Sequence, residues 1–554
     1  MRYVVGLVAI GVAFGAAPPP ERGAGVVAAD HAEASRAGAQ LLGEGGNAVD
    51  AVVAAALAAG VVQPSASGLG GGGFATWHVD GASGFLDFRE VAPGATDPAV
   101  YREDPERTRR GGLAVAVPME SRGLATLLRE RGRMGFAKVA APAISLAERG
   151  HLPAEFTLEQ LRKTTFDAIR ARFTVDGALA DRNVRVRQRD LARTLRRWAA
   201  SEGEDLHVGD GAAAIVLAVQ ASGGRLTAGD LASVRPVARE PLRFRWRGLT
   251  VLTAPPPSSG GTVLSTSLRA TERSIAGDID GSGAYHALIE AFQHTYADRA
   301  RYLGDPDHVD VPVDRLTDDA RVAAVAAALG PSTLETSAYG LPVEPPKDAG
   351  TQHISVIDQD GGAVALTTTI NTGFGSGIVP DGTGIILNNQ MDDFAVAPGV
   401  PNAYGLVGSA ANAIAPGKRP LSSMTPTLAL GDDGVVRYAV GASGGAQIPS
   451  AVAQVLIGMV SGLDPQEAVA RPRFHHQWLP AEVVLELAFP SDVDAALAAR
   501  GHRIVRRDHY ACVQAVARTS EGVVTGGADP RKGGWPAAVM GRWIAPAPQG
   551  PVGP

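Results

Sequence analysis

The sequence predicts a protein of the α+β class, and three observations carry that prediction. A hairpin stands in mid-chain: the alternating run Gln352–Ile357, a turn at Gln359-Asp360-Gly361-Gly362, and a second, β-branched run over 363–370. Alternation on both sides of an Asp-Gly turn is a strong hairpin signal. Helical stretches fill much of the chain before it, at 31–44, 48–59, through most of 120–240, and at 285–302. Behind it the tail alternates strands with a helix, at 482–488, 491–500, 503–507, 511–518 and 522–526.

With 554 residues, 45% of them hydrophobic and 19% charged, the chain can bury a large core. A net charge of −6 and a pI near 6.1 leave no basic footprint for nucleic acid or an anionic membrane surface. Cys512 is the only cysteine, which excludes an internal disulfide, a CxxC redox pair and a cysteine-rich metal site. Residues 1–17 place Arg2 before an apolar run rich in Val, Gly and Ala, with Ala13-Phe14-Gly15 as a small-x-small cleavage site. A secretory signal peptide is expected there, and with it a periplasmic or secreted location. An uncleaved anchor is the competing reading, although 3–17 is short for a membrane span.

In chain order, Asn47 is placed to cap the helix at 48–59, with Asp50 at its third position. The glycines of 68–73 contain G-x-G-x-x-G, but a dinucleotide site needs a strand before them and a helix after. Here the order is reversed, so they are expected to let backbones pack closely. Residues 85–90 read as a strand and 242–253 as strands, while the charged faces at 158–163 and 191–198 read as solvated surface. Gly304-Asp305-Pro306-Asp307 reads as a solvated turn rather than a metal site, and polar 331–350 as a mobile linker. Beyond the hairpin, 393–423 is rich in Pro, Gly and Asn, and a loop so long in a compact domain carries function or is disordered. A strand at 435–440, a glycine-rich turn at 441–445 and a helix at 448–463 follow.

Two stretches offer a nucleophile. Gly350 leaves its carbonyl open and tolerates unusual backbone angles, and it directly precedes Thr351. Were that peptide cut, Thr351 would own both a hydroxyl and a free α-amine, a nucleophile with its own base. The plainer alternative is a threonine that simply opens a strand. Ser443 is the rival: Gly441-Ala442-Ser443-Gly444-Gly445 satisfies G-x-S-x-G between a strand and a helix, with Asp492 and His502 or His509 downstream. Adjacent His475 and His476 would point to opposite faces of a strand, and no HExxH-like spacing occurs. No catalytic metal and no cofactor are expected.

The segment from Thr351 through Asn388-Asn389-Gln390-Met391-Asp392-Asp393-Phe394 closely resembles the small-subunit start of γ-glutamyltranspeptidases. So do Lys418-Arg419-Pro420-Leu421-Ser422-Ser423-Met424 and the Gly444-Gly445 turn. Matching motifs continue upstream at 44–50, 70–74, 87–90, 255–261 and 296–307, and downstream at 471–480 and 528–531. The resemblance implies an N-terminal-nucleophile hydrolase fold, an αββα four-layer sandwich. It further implies a precursor that cuts itself between Gly350 and Thr351, leaving fragments 18–350 and 351–554 together as a heterodimer. On that resemblance Thr351 attacks a γ-glutamyl amide, Thr369 orients it, and the N–H groups of Gly444 and Gly445 hold the oxyanion. Arg89, Ser422 and Ser423 would take the α-carboxylate of the substrate, and Asn371, Gln390 and Asp393 its α-amine. Tyr404, within 398–416, would belong to a lid loop. The implied donors are glutathione and other γ-glutamyl compounds, and the acceptors water, an amino acid or a peptide. Relatives that act as cephalosporin acylases take a glutaryl group without an α-amine, so the carboxylate of Asp393 favours a γ-glutamyl substrate. One departure is Gln352, where many members have a second threonine; its side chain should point away from Thr351. A cephalosporin or glutaryl acylase of the same family, a serine esterase using Ser443 and an unprocessed γ-glutamyl-binding protein are the other readings.

Overall fold

The computed structural model describes residues 21–275, 282–340, 350–396, 409–508, 511–540 and 543–544. The expected signal segment, Tyr404 and His509 lie outside the described residues.

Two antiparallel sheets stack face to face. One runs, in spatial order, Trp543–Ile544, Ala537–Met540, Gly25–Ala29, Gln352–Ile357, Ala363–Thr369, Gly72–Val79, Ala82–Phe88 and Val237–Arg239. The other runs Glu21–Gly23, Val524–Ala528, Cys512–Arg518, Val436–Ser443, Thr427–Leu430, Leu249–Thr253 and Leu242–Trp246. Period-two alternation assigns each strand residue to one of two cores. Val27, Ala29, Ile354, Val356, Val364 and Leu366 share a core with the helices Ala32–Gly43, Ala48–Val62 and Glu120–Arg131. Their strand neighbours Val26, Ala28, Ala363 and Ala365 pack instead on Leu428, Ala439 and Val516 of the second sheet. The far face of that sheet, through Val251, Ala429, Val440 and Val513, packs on Gly260–Ser274, Ser282–Tyr302 and Ile448–Val460. The layer order is therefore helix, sheet, sheet, helix, the expected αββα sandwich.

The hairpin lies at the centre of its sheet, with Ile354 facing Ala29 on one side and Leu366 facing Ala75 on the other. Asn47 caps its helix reciprocally with Asp50, as the sequence predicts. The glycine run does permit close packing: a Cβ on Gly71 would lie 2.1 Å from the carbonyl oxygen of Thr369. Between the sheets, a Cβ on Gly441 would fall 2.2 Å from the His353 ring.

Two expectations are revised, and two strands are added. Asp305 is fully buried, accepting from the Arg419 amide at 2.8 Å, and Asp307 pairs with Arg239 and Arg419. The turn is thus anchored through buried Asp305, while Pro306 and Asp307 stay exposed. The start of the presumed linker is also tied down, since the Tyr339 hydroxyl bonds Glu290 and the Thr333 amide donates to the Arg500 carbonyl. Finally, Gly25–Ala29, the strand next to the hairpin, and Ala537–Met540 beyond it are elements that the sequence did not announce.

Candidate active site

Register builds the site. Gln352 pairs with Thr368, which sets Thr351 opposite Thr369 at the open end of the hairpin. Their hydroxyls lie 3.0 Å apart, and each lies 2.8 Å from the Gly350 carbonyl oxygen. Two hydroxyl protons are thereby shared among three oxygens, and the Asn371 amide donates to Thr369 Oγ1 at 2.9 Å. Gly350 has φ +120°, and a Cβ there would lie 2.5 Å from the Asn371 carbonyl oxygen, so only glycine fits before Thr351. Gln352 points to the opposite face, as expected, and donates to Thr368 Oγ1 at 3.2 Å.

Thr351 and Thr369 open onto a cleft that Gly445 also lines. Arg89, Asn371, Gln390, Asp393, Ser422 and Ser423 complete its wall, so the structure gathers all of these predicted residues in one place. Arg89 follows the strand Ala82–Phe88 and is held by its amide on Asp87 Oδ1, at 2.9 Å, and by its Nε on the Pro420 carbonyl, at 3.1 Å. Asp87 in turn pairs with Arg239 and Arg419. Arg89 and Asp393, expected at opposite ends of a bound amino acid, pair with each other at 2.5 Å. Gln390 Nε2 donates to the same Asp393 oxygen at 2.7 Å. Burial raises the Asp393 carboxyl above its ordinary range while Arg89 opposes the shift. Burial also pushes the neighbouring Glu90 up to about 8, against the pull of Arg89, so Glu90 is neutral at pH 7.

The Ser422-Ser423 wall is pinned from behind. The Ser259 amide and hydroxyl both donate to the Ser422 carbonyl at 2.8 Å, and the Met424 amide donates to Ser422 Oγ. Across the cleft the Gly444-Gly445 turn has φ +130° and +55°, and a Cβ on Gly444 would lie 2.7 Å from Ala511 Cα. Ser443 is not available as a nucleophile. Its buried hydroxyl donates to Asp30 at 3.2 Å and accepts from Lys532 Nζ at 2.6 Å, while His502 is bonded to His286.

Two functional candidates were missed in the sequence. Lys532 Nζ donates to the Thr351 carbonyl at 2.6 Å, to Ser443 Oγ at 2.6 Å and to Asp30 at 3.2 Å, so one buried cation ties Thr351 to the turn across from it. Its only sequence signal is its place directly after the 528–531 motif. Arg299, on the helix Ser282–Tyr302, donates through Nε to Ser259 Oγ at 3.2 Å, behind the serine wall. Burial pulls its guanidinium down to about 10.

Comparison with known proteins agrees with this geometry. The γ-glutamyltranspeptidase family model matches residues 34–539. A glutathione hydrolase proenzyme of Escherichia coli is 37% identical over 524 residues, covering 92% of this chain and 90% of its own. The crystal structure of a cephalosporin acylase from Bacillus halodurans superposes with a TM-score of 0.85 at 28% identity, covering 97% of this chain and 100% of its own. A Helicobacter pylori γ-glutamyltranspeptidase chain covers 56% of this chain and 93% of its own, with a TM-score of 0.54 at 33% identity. The chain belongs to the γ-glutamyltranspeptidase family and is an enzyme of that family.

Proposed function

We propose that this protein is a secreted or periplasmic, self-processing γ-glutamyltranspeptidase and glutathione hydrolase in which Thr351 is the nucleophile. The observation that carries the reading is the convergence of Thr351, Arg89 and Asp393 on one cleft. In the uncut chain, Thr351 Oγ adds to the Gly350 carbonyl carbon, the C–N bond breaks, and the acyl group moves from nitrogen to oxygen. Water then hydrolyses that ester, leaving a Gly350 carboxylate and a free α-amine on Thr351. The arrangement supports this step: Thr351 Oγ already lies against the Gly350 carbonyl, and the Thr369 hydroxyl, 2.8 Å from the carbonyl oxygen, is the donor aimed at the developing oxyanion. The Helicobacter pylori chain, nearly all of which is covered although it matches little more than half of this one, is what a fragment of a cut protein would give. Fragments 18–350 and 351–554 would stay together, because Gly25–Ala29 and Gln352–Ile357 are neighbouring strands of one sheet.

After maturation the α-amine, with a reference pKa of about 7.7–8.0, takes the proton as Oγ attacks the γ-carbonyl. The N–H groups of Gly444 and Gly445 stabilise the oxyanion, the leaving amine takes the proton, and water, an amino acid or a peptide then attacks the ester. Arg89 presents a planar fork to the α-carboxylate, together with Ser422 and Ser423, while Asp393, Gln390 and Asn371 receive the ammonium group. Binding would exchange the Arg89–Asp393 pair for one charge contact at each end of the substrate. Lys532 positions Thr351 through its carbonyl.

Glutaryl acylase activity is the second reading, favoured by the likeness to the cephalosporin acylase. The test compares γ-glutamyl and glutaryl anilides on the wild type and on Asp393→Asn. A γ-glutamyl enzyme loses about tenfold or more on the first substrate and much less on the second, as expected for a lost charge-assisted contact. Equal losses, or a wild-type preference for glutaryl, would sink the ammonium role.

A further inference from the structure

One buried cluster shares no residue with the cleft. His286 and Glu290 stand one helical turn apart on Ser282–Tyr302, and the chain between Ser491–Ala498 and Ile504–Arg507 brings His502 against them. His286 Nδ1 and His502 Nε2 are 2.7 Å apart, His502 Nε2 lies 3.9 Å from Glu290 Oε1, and the three ligand atoms all fall within 4.8 Å of one another. We propose that His286, Glu290 and His502 form a structural site for a zinc-class divalent cation. That site would join the chain ahead of the Gly350–Thr351 bond to the chain behind it.

The chemistry of the donors fits. Tetrahedral zinc with metal–nitrogen bonds of about 2.0–2.1 Å holds its ligand atoms roughly 3.3 Å apart. The observed spacings bracket that value, so small ring movements would seat an ion. His286 Nε2–H donates to the Gly330 carbonyl at 2.9 Å, which fixes the tautomer and aims the lone pair of Nδ1 into the cluster. Without a metal, His502 Nε2–H fills that lone pair; on binding, its proton moves to Nδ1 and both inward nitrogens become ligands. Outer-shell support for the carboxylate is already in place: Gln293 Nε2 donates to Glu290 Oε1 at 2.6 Å, and the Tyr339 hydroxyl donates to Oε2. Three protein ligands leave a fourth position for water. The alternative is a purely hydrogen-bonded network that needs no ion.

Full-length purified protein, stripped with a chelator and dialysed, decides between them by titration with Zn2+ in a calorimeter and with Co2+ followed by its visible d–d absorption. One equivalent should bind, with tetrahedral cobalt bands and a raised thermal midpoint. His502→Gln and Glu290→Gln should abolish the bands, and Tyr339→Phe should weaken affinity about 10–100-fold through the outer shell. No stoichiometric binding by the wild type would overturn the proposal, whatever the variants do. So would bands that persist unchanged in His502→Gln and Glu290→Gln. The readout is metal alone, so it stands or falls independently of where the chain is cut and of which substrate the cleft takes.

Discussion

Lys532 is where single residues say most about this site. Its ammonium group meets the Thr351 carbonyl, Ser443 Oγ and Asp30 at once, and it stacks over the Phe156 ring. In a chain cut before Thr351, a positive charge held on the Thr351 carbonyl would disfavour the ammonium form of the α-amine and so lower the pKa of the proposed base. Lys532→Met should therefore move the acid limb of the kcat/KM profile to higher pH. The displaced nucleophile should also reduce kcat by about 10²-fold with little change in donor KM. An unmoved pH limb would leave Lys532 a merely structural cation. Little of this was legible in the sequence, because Asp30, Thr351, Ser443 and Lys532 are far apart in the chain and meet only when the two sheets stack. Arg89, Asp393, Ser422 and Ser423 were legible because they sit within multi-residue motifs. That Arg89 and Asp393 pair with each other was not, since a motif carries identities and no distances.

Among the elements, the Gly444-Gly445 turn is the most sensitive. Both residues occupy positive φ, and Gly444 has no room for a Cβ against Ala511. Gly444→Ala should cost about 10²–10³ in kcat by displacing an oxyanion donor, with most of the thermal stability retained. A variant that unfolds instead would make the turn a packing element first. The hairpin could be predicted because its alternation and Asp-Gly turn are local signals. Gly25–Ala29 escaped because GVVAA is short, alanine-bearing and buried on both faces, which erases alternation. The stretch 331–340 was misread because its polar composition hides specific anchors, the Tyr339 hydroxyl on Glu290 and the Thr333 amide on the Arg500 carbonyl.

For the whole molecule, burial of titratable groups sets the dependence of stability on pH. His31, His151, His207, His294, His353, His475 and His502 are pulled down to between about 3 and about 4, chiefly by burial. Below their ordinary 6.5, the unfolded chain takes protons that the native state refuses, so stability falls as pH drops. Glu90 and Glu120, pushed up to about 8, act in the opposite sense: the native state keeps protons that the unfolded chain releases, so stability falls as pH rises toward 8. These seven imidazoles outweigh Glu90 and Glu120 below pH 6.5, although Asp30, Asp87, Glu290, Asp298, Asp358 and Asp393 are also raised by burial and flatten the slope. Denaturant midpoints should therefore peak near pH 7 and decline steadily toward pH 5; a maximum at pH 5 would contradict the buried, neutral histidines.

The central claim is that the protein makes its own catalytic terminus at Thr351, and N-terminal sequencing with intact mass of the purified chains tests it most directly. The wild type should give two chains, one of them beginning at Thr351, while Thr351→Ala should give one uncut chain without γ-glutamyl activity. An active, uncut wild type, or normal splitting of Thr351→Ala, would contradict the account.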